Sequence, residues 1–267
     1  MAVTQHHSSA DKALRHAEQL ARDKVFSTRP DTLLSSSFIA QDNQTAYLAL
    51  HALFQDIRFA IILIQDASVA RKKLTWWAEE IQKASNGSAE HPYTQILQEH
   101  NVDANFWIQM ITLIRNGFDL RQNEGVDISL ERLSELLTPV ELQLEANLFG
   151  MDEVQNLSDD ASLMLELEAI LPLWLHRQNS KEWPLSLYGK RLAGKNAEQL
   201  QLLISEIWEK FGRSDFAMME DMQGFNIRLK LALFRLGKIA SGHKESLLSP
   251  YKYHRLRALW LAWRAAK

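Results

Sequence analysis

Residues 37–81 read "SFIAQDNQTAYLALHALFQDIRFAIILIQDASVARKKLTWWAEEI". This stretch contains neither glycine nor proline, and its apolar residues recur at the three- and four-residue spacing of amphipathic α-helices. We predict helices at 43–63 and 67–84. The most apolar run, Phe59 to Ile64, is far shorter than the roughly 20 residues that cross a bilayer. The stretch therefore predicts helices of a protein that is soluble, or at most peripheral to a membrane.

The same helical period extends over most of the chain, whereas strict alternation of apolar and polar residues is nearly absent. Ten glycines and six prolines among 267 residues leave few places where helices must break. Two of these breaks are "SNGS" at 85–88 and His91-Pro92, and Pro172 should kink or end a third helix. We predict an all-α, single-domain helical bundle. Further helices are expected at 10–26, 91–99, 103–121, 129–148, 160–177, 195–212, 215–240 and 250–266.

The amino-acid composition argues against several classes of partner and chemistry. The formal net charge of −3 gives no electrostatic reason to expect nucleic acid as a partner. The chain has no cysteine, which excludes disulfides, thiolate metal sites and cysteine nucleophiles. Its first residues lack the apolar core of a secretory signal. We expect a cytoplasmic protein that can associate with a membrane surface.

Short motifs occur in a recognisable order along the first half of the chain. They are Ser37-Phe38, Ala49 to Leu53, Lys73 to Trp77 followed by Glu79 and Glu80, His91-Pro92, and "IRNGFDL" at 114–120. This order resembles the squalene/phytoene synthase family of head-to-head prenyl diphosphate synthases. The resemblance implies an isoprenoid synthase bundle around a central cavity. It also implies a tail and first helix at 1–35, followed by the family-like domain at 36–267.

Active members of that family ionise prenyl diphosphates with Mg²⁺ held by two Asp-rich helix motifs. Hard cations prefer such carboxylate ligands. The aspartate positions of the first motif fall here on Arg58, Phe59 and Ile62, none of which can bind a metal. The second motif should lie at 163–184, where no aspartate occurs. The resemblance therefore implies a non-catalytic relative without a cofactor, similar to the complex I assembly factor branch, that binds an isoprenoid, another lipid or a protein partner.

The alternative is an active, Mg²⁺-dependent prenyltransferase whose acidic residues are displaced. Its candidate catalytic carboxylates are Asp56, Asp119, Glu166 and Glu168. Residues two apart face roughly opposite sides of a helix, which argues against a joint role for the last two. Convergence of the four carboxylates on one cavity would support this alternative.

A ligand pocket is expected along the helices that carry the motifs. The candidate pocket residues are Arg58, Phe59, Ile62, Lys73, Trp77 and Arg115. Lys73 stands where the family has an arginine, so it either contacts a diphosphate or acidic lipid or is simply solvated. Trp76 and Trp77 differ by about 100° on a helix. One of them can belong to the core while the other reaches a pocket or interface, although both can also be packing residues.

The stretch "YKYHRLRALWLAWRAAK" at 251–267 combines basic residues with a tryptophan-rich face. A helix of this kind can lie in a membrane interface. The candidate membrane-surface residues are Arg257, Trp260, Trp263 and Arg264. The alternative is a last bundle helix whose apolar face packs on the core.

Overall fold

The structure is a computed structural model. It describes residues 3–64, 66–123, 130–151 and 223–241, together with single positions from 162 to 169, from 202 to 209 and at 264. The described residues form an all-α, single-domain bundle, as predicted. Its helices are α1 (Val3–Thr28), α2 (Pro30–Ser36), α3 (Gln41–Ile62), α4 (Ala67–Ser85), α5 (Pro92–Glu99), α6 (Ala104–Asn123), α7 (Leu130–Leu148) and α8 (Gln223–Ala240).

The helices α3 to α7 begin and end within about two residues of their predicted bounds. The first helix begins at Val3, seven positions before its predicted start. Helix α2 was not predicted, although Pro30 at its first position and Asp31 in its first turn are ordinary helix-start signals. The predicted helices at 160–177, 195–212 and 250–266, and the expected break at Pro172, lie outside the continuously described ranges.

Helix α3 forms the centre of the bundle and is buried along most of its length. Helices α1, α4, α5, α6 and α7 all pack against it, and α8 packs on α2. Gly117 of α6 lies directly on α3, since a Cβ atom there would come within 2.6 Å of Ile61 Cδ1. The glycine therefore lets α6 approach α3 closely.

The motif "WWAEE…HP" has a structural explanation in Glu80. This buried carboxylate lies on α4, and its Oε1 accepts hydrogen bonds from the backbone N–H groups of Glu90 (2.8 Å) and His91 (2.7 Å). It also accepts one from Thr94 Oγ1 at 2.5 Å. Burial opposes ionisation, but these hydrogen bonds hold the pKa of Glu80 below its ordinary value. Glu80 thus anchors the start of α5 to α4.

None of the helices in the described part of the chain is both long enough and apolar enough to cross a membrane. The hydrophobic core instead lies between α3 and the helices around it.

Candidate functional site

Two stripes of buried polar side chains face each other across the core. Both follow the spacing that places residues on one face of a helix. The stripe of α3 consists of His51, Gln55 and Arg58, and the stripe of α7 consists of Thr138, Glu141 and Glu145. Buried charges require partners, and Arg58 of one stripe pairs with Glu141 of the other.

Arg58 lies between two carboxylates at the centre of these stripes. Its Nη2 donates to Glu141 Oε2 and to Glu166 Oε2, both at 2.7 Å, and its Nε donates to Glu166 Oε1 at 2.9 Å. Glu166 is fully buried and Arg58 is only 2% exposed. Burial disfavours the guanidinium cation, but the two carboxylates raise the pKa of Arg58 above its ordinary value. The contact is a bidentate, buried ion pair with a second carboxylate attached.

A second buried ion pair lies beside the one at Arg58 and involves α8. Together they form what we call the buried ion-pair cluster. Arg228 donates to Glu145 Oε2, and His51 Nε2 lies 3.6 Å from the same oxygen. Burial and the neighbouring arginines, Arg228 foremost, lower the pKa of His51 well below its ordinary value. The imidazole is therefore neutral at neutral pH and packs edge-on against Tyr47, with ring centroids 4.5 Å apart.

The buried ion-pair cluster also includes Arg29, the residue before α2, and Asp31 of α2; their Nη2 and Oδ2 atoms are 3.2 Å apart. Three arginines thus face four carboxylates, namely Asp31, Glu141, Glu145 and Glu166. Burial raises the pKa of Glu141 and of Glu145. If one of the four carboxylates binds a proton, these seven groups together carry no net charge.

A cavity of about 10 Å³ adjoins the ion-pair cluster. Its described lining consists of Arg29, Arg58, Thr138, Glu141, Leu142, Leu165 and Arg228. This volume accommodates about one water molecule. It is far smaller than the central ligand cavity that the family resemblance implies.

The residues around Arg58 do not fit Mg²⁺. The carboxylates that could serve as ligands, Glu141 and Glu166, already accept hydrogen bonds from the guanidinium that lies between them. A divalent cation placed there would be repelled by the arginine and would need room for an octahedral shell. Within the described ranges, no group of three His, Asp or Glu side chains is arranged to hold a metal.

The four candidate catalytic carboxylates are not brought together. Asp56 Oδ1 pairs with Lys24 Nζ of α1 at 2.5 Å, and both side chains are partly exposed. Asp119 is exposed on α6, whereas Glu166 is buried beside Arg58. Glu168 lies outside the described residues. The convergence required by the prenyltransferase alternative is therefore absent among the three that are described.

The candidate pocket residues also lie in different surroundings. Ile62 is fully buried in the hydrophobic core, and Phe59 is half-buried against that core. Arg115 is exposed on α6. Of this group, Arg58 alone lines the small cavity beside the ion-pair cluster.

The two tryptophans differ in burial, which is compatible with the first of the two interpretations of their spacing. Trp77 is fully buried, whereas Trp76 is 40% exposed. Lys73 Nζ lies 4.5 Å from the ring centroid of Trp76 and 5.3 Å from that of Trp77, a cation–π arrangement. Lys73 is thus engaged by aromatic rings in this structure.

Among the candidate membrane-surface residues, the structure describes only Arg264, which is helical and exposed. The other three, Arg257, Trp260 and Trp263, lie outside the described residues. Neither interpretation of the C-terminal stretch is therefore tested.

The sequence interpretation missed most members of the ion-pair cluster, including Glu141, Glu145 and Arg228. A signal was present, because polar residues recur three, four and seven positions apart on helices that are otherwise apolar. Two such stripes on facing helices indicate buried partners.

No protein-family model, curated protein or solved structure matches this chain. The squalene/phytoene synthase resemblance therefore stays a sequence-based hypothesis. The class that the fold and the site define is an all-α, single-domain bundle with a buried ionic centre.

Glu141 should make stability depend on pH. A carboxyl group whose pKa is raised by folding contributes stability that is fully present below the unfolded pKa of about 4.3. That contribution is lost as the pH rises through the folded value, because the folded protein must then accommodate an additional buried charge. We expect the free energy of unfolding of Glu141→Gln, relative to wild type, to increase as the pH rises above about 4.3 and through the raised pKa of the folded protein.

Urea unfolding at several pH values measures this difference. Glu135→Gln is the matched control, since Glu135 lies on the same helix with an exposed side chain. Its difference from wild type should change little over that range. A Glu141→Gln difference that stays constant or falls as the pH rises would contradict the prediction.

Proposed function

We propose that this chain is a non-catalytic relative of the squalene/phytoene synthase family, which binds a lipid and does not transfer prenyl groups. The observation that carries this proposal is the position of Arg58 between Glu141 and Glu166 in the core of the bundle.

When an allylic diphosphate ionises, the negative charge of the departing diphosphate must be neutralised by a neighbouring cation. In the family, carboxylate-bound Mg²⁺ supplies that positive charge. In this chain the first-motif position holds an arginine whose charge is already matched by two buried carboxylates. A diphosphate would have to displace those carboxylates, and the adjoining cavity of about 10 Å³ has no room for it. The ion-pair cluster is therefore suited to stabilising the fold rather than to this chemistry.

A second cavity supports the proposal that the chain binds a lipid. It has a volume of about 420 Å³ and lies along α8, lined in part by Trp208, Leu233 and Phe234. This volume falls in the range of small-molecule sites, which are lined mainly by apolar and aromatic side chains.

A turnover assay tests the proposal that the chain does not transfer prenyl groups. Purified protein is incubated with Mg²⁺ and either farnesyl or geranylgeranyl diphosphate, and diphosphate release is measured. We expect release no faster than with heat-treated protein. Release that EDTA abolishes would overturn the proposal, and loss of that release in Asp56→Asn or Asp119→Asn would then identify the displaced carboxylates.

Mass spectrometry of an organic extract tests the proposal that the chain binds a lipid. The extract is made from natively purified protein. We expect a lipid to be recovered in an amount comparable with the protein. Extracts that match a control protein purified from the same cells would count against lipid binding.

A further inference from the structure

The cavity of about 420 Å³ follows one face of α8, which we call the α8 groove. Its described lining residues are Trp208, Lys230, Leu233, Phe234, Gly237, Lys238 and Ser241. Apart from Trp208, these residues recur every three or four positions along α8 and at the position after it, which places them on one side of that helix. The opposite side carries fully buried residues such as Ala232 and Ile239. The groove therefore lies on the partly buried side of α8, where Trp208 and Leu233 border the hydrophobic core.

An aromatic wall is built into the α8 groove. A Cβ atom on Gly237 would lie 2.9 Å from Trp208 Cζ2, so the indole ring rests directly on the backbone of α8 at this glycine. Leu233 and Phe234 are half-buried beside it. The wall is thus flat, apolar and only partly covered, which suits a hydrocarbon chain.

The described lining of the α8 groove carries positive charge. Lys230 and Lys238 both line it, and no acidic residue occurs among its described lining residues. The two lysines are eight positions apart, or about 12 Å along the helix axis. Their long side chains can bring both ammonium groups toward one anion above the groove, while their stems cover apolar surface.

We propose that the α8 groove binds a free single-chain anionic amphiphile of the fatty-acid class. The carboxylate lies between Lys230 and Lys238, and the hydrocarbon chain lies against Trp208 and Phe234. This assignment rests on the proposed lipid-binding function and names its ligand class and its site.

A single free chain fits the groove better than a bilayer surface does. The large apolar side chains that protrude from the described part of the molecule do not line the groove. They are Leu20, Phe26, Val69, Trp76, Ile108 and Leu202. The apolar residues of the groove are half-buried instead, so one chain can reach them while a flat membrane cannot.

Calorimetric titration of the full chain with laurate, below its micelle concentration, tests the assignment. We expect one laurate to bind per chain, more weakly as the salt concentration rises. In Lys230→Met/Lys238→Met the affinity should fall by about tenfold, since two exposed ion pairs together contribute up to about that factor. Lys72→Met removes an exposed lysine of α4 and should leave the affinity unchanged.

Dodecyltrimethylammonium has a hydrocarbon chain of similar length and the opposite charge, and it should bind much more weakly than laurate. The inference is overturned if laurate does not bind, if the two amphiphiles bind equally, or if the double lysine variant binds laurate as wild type does. Binding confined to phosphatidylglycerol vesicles would equally overturn it in favour of a bilayer surface. EDTA-sensitive diphosphate release would instead refute the proposed non-catalytic function, whichever result the titration gives.

Discussion

Arg58→Met is expected to lower the free energy of unfolding by about 3–5 kcal/mol at neutral pH. The substitution removes the cation that Glu141 and Glu166 share, and it leaves two buried carboxylates close to each other. Each must then stay charged in a poorly polar environment or bind a proton, and both carry a free-energy cost. Urea unfolding followed by circular dichroism measures the loss.

Two further variants separate charge from packing. Arg58→Met/Glu141→Gln/Glu166→Gln removes the stranded charges and should recover a large part of the lost stability. Arg58→Lys keeps the charge but loses the bidentate geometry with Glu166, and should fall between wild type and Arg58→Met. If the triple variant is less stable than Arg58→Met, unpaired charge is not the cause of the loss.

Trp77→Ala is the second large effect, with an expected loss of about 3–5 kcal/mol. The side chain is fully buried, and its ring packs edge-on against Trp76 and His91 at centroid distances of 4.7 and 4.8 Å. Removing it leaves a void between α4 and the start of α5, where His91 caps the helix. Thermal and urea unfolding both measure this change.

Trp76→Ala is the matched control on the neighbouring position. Because Trp76 is 40% exposed, we expect a loss below about 1 kcal/mol, most of it from the contact with Lys73. Trp77→Phe should cost less than Trp77→Ala, since it refills most of the void and removes a buried indole N–H that has no partner in the described structure. Equal losses in the two alanine variants would contradict the division between core and surface.

The fold was predictable where local signals suffice. Apolar periodicity locates α3 and α4, while Gly87, with φ of 80°, and His91-Pro92 mark the turn after α4 and the start of α5. Helix α2 was missed because its seven residues are too few to show a period. It packs on its neighbours α1 and α3 and also on α8, which lies far along the chain. Local patterns do not encode such contacts.

The site was predicted in part. The motif alignment singled out Arg58 and Glu166, but it placed one in a ligand pocket and the other in a catalytic set. The structure pairs them with each other. Their separation of 108 positions explains the error, since periodicity shows which face a residue occupies but not which helix lies opposite. Arg228 was missed for the same reason, as its partner Glu145 lies 83 positions earlier.

The pairing of Arg228 with Glu145 also means that one buried ion pair can form only late in synthesis of the chain. Neighbouring helices such as α3 and α4 can associate as soon as they are synthesised, because little chain separates them. Glu145 acquires its arginine only after residue 228 has been made and α8 has docked on α2. Until then, Glu145 lacks the arginine that donates a hydrogen bond to it, and a buried carboxylate without such a donor is costly. Docking of α8 therefore completes a buried ion pair that the first seven helices cannot form by themselves.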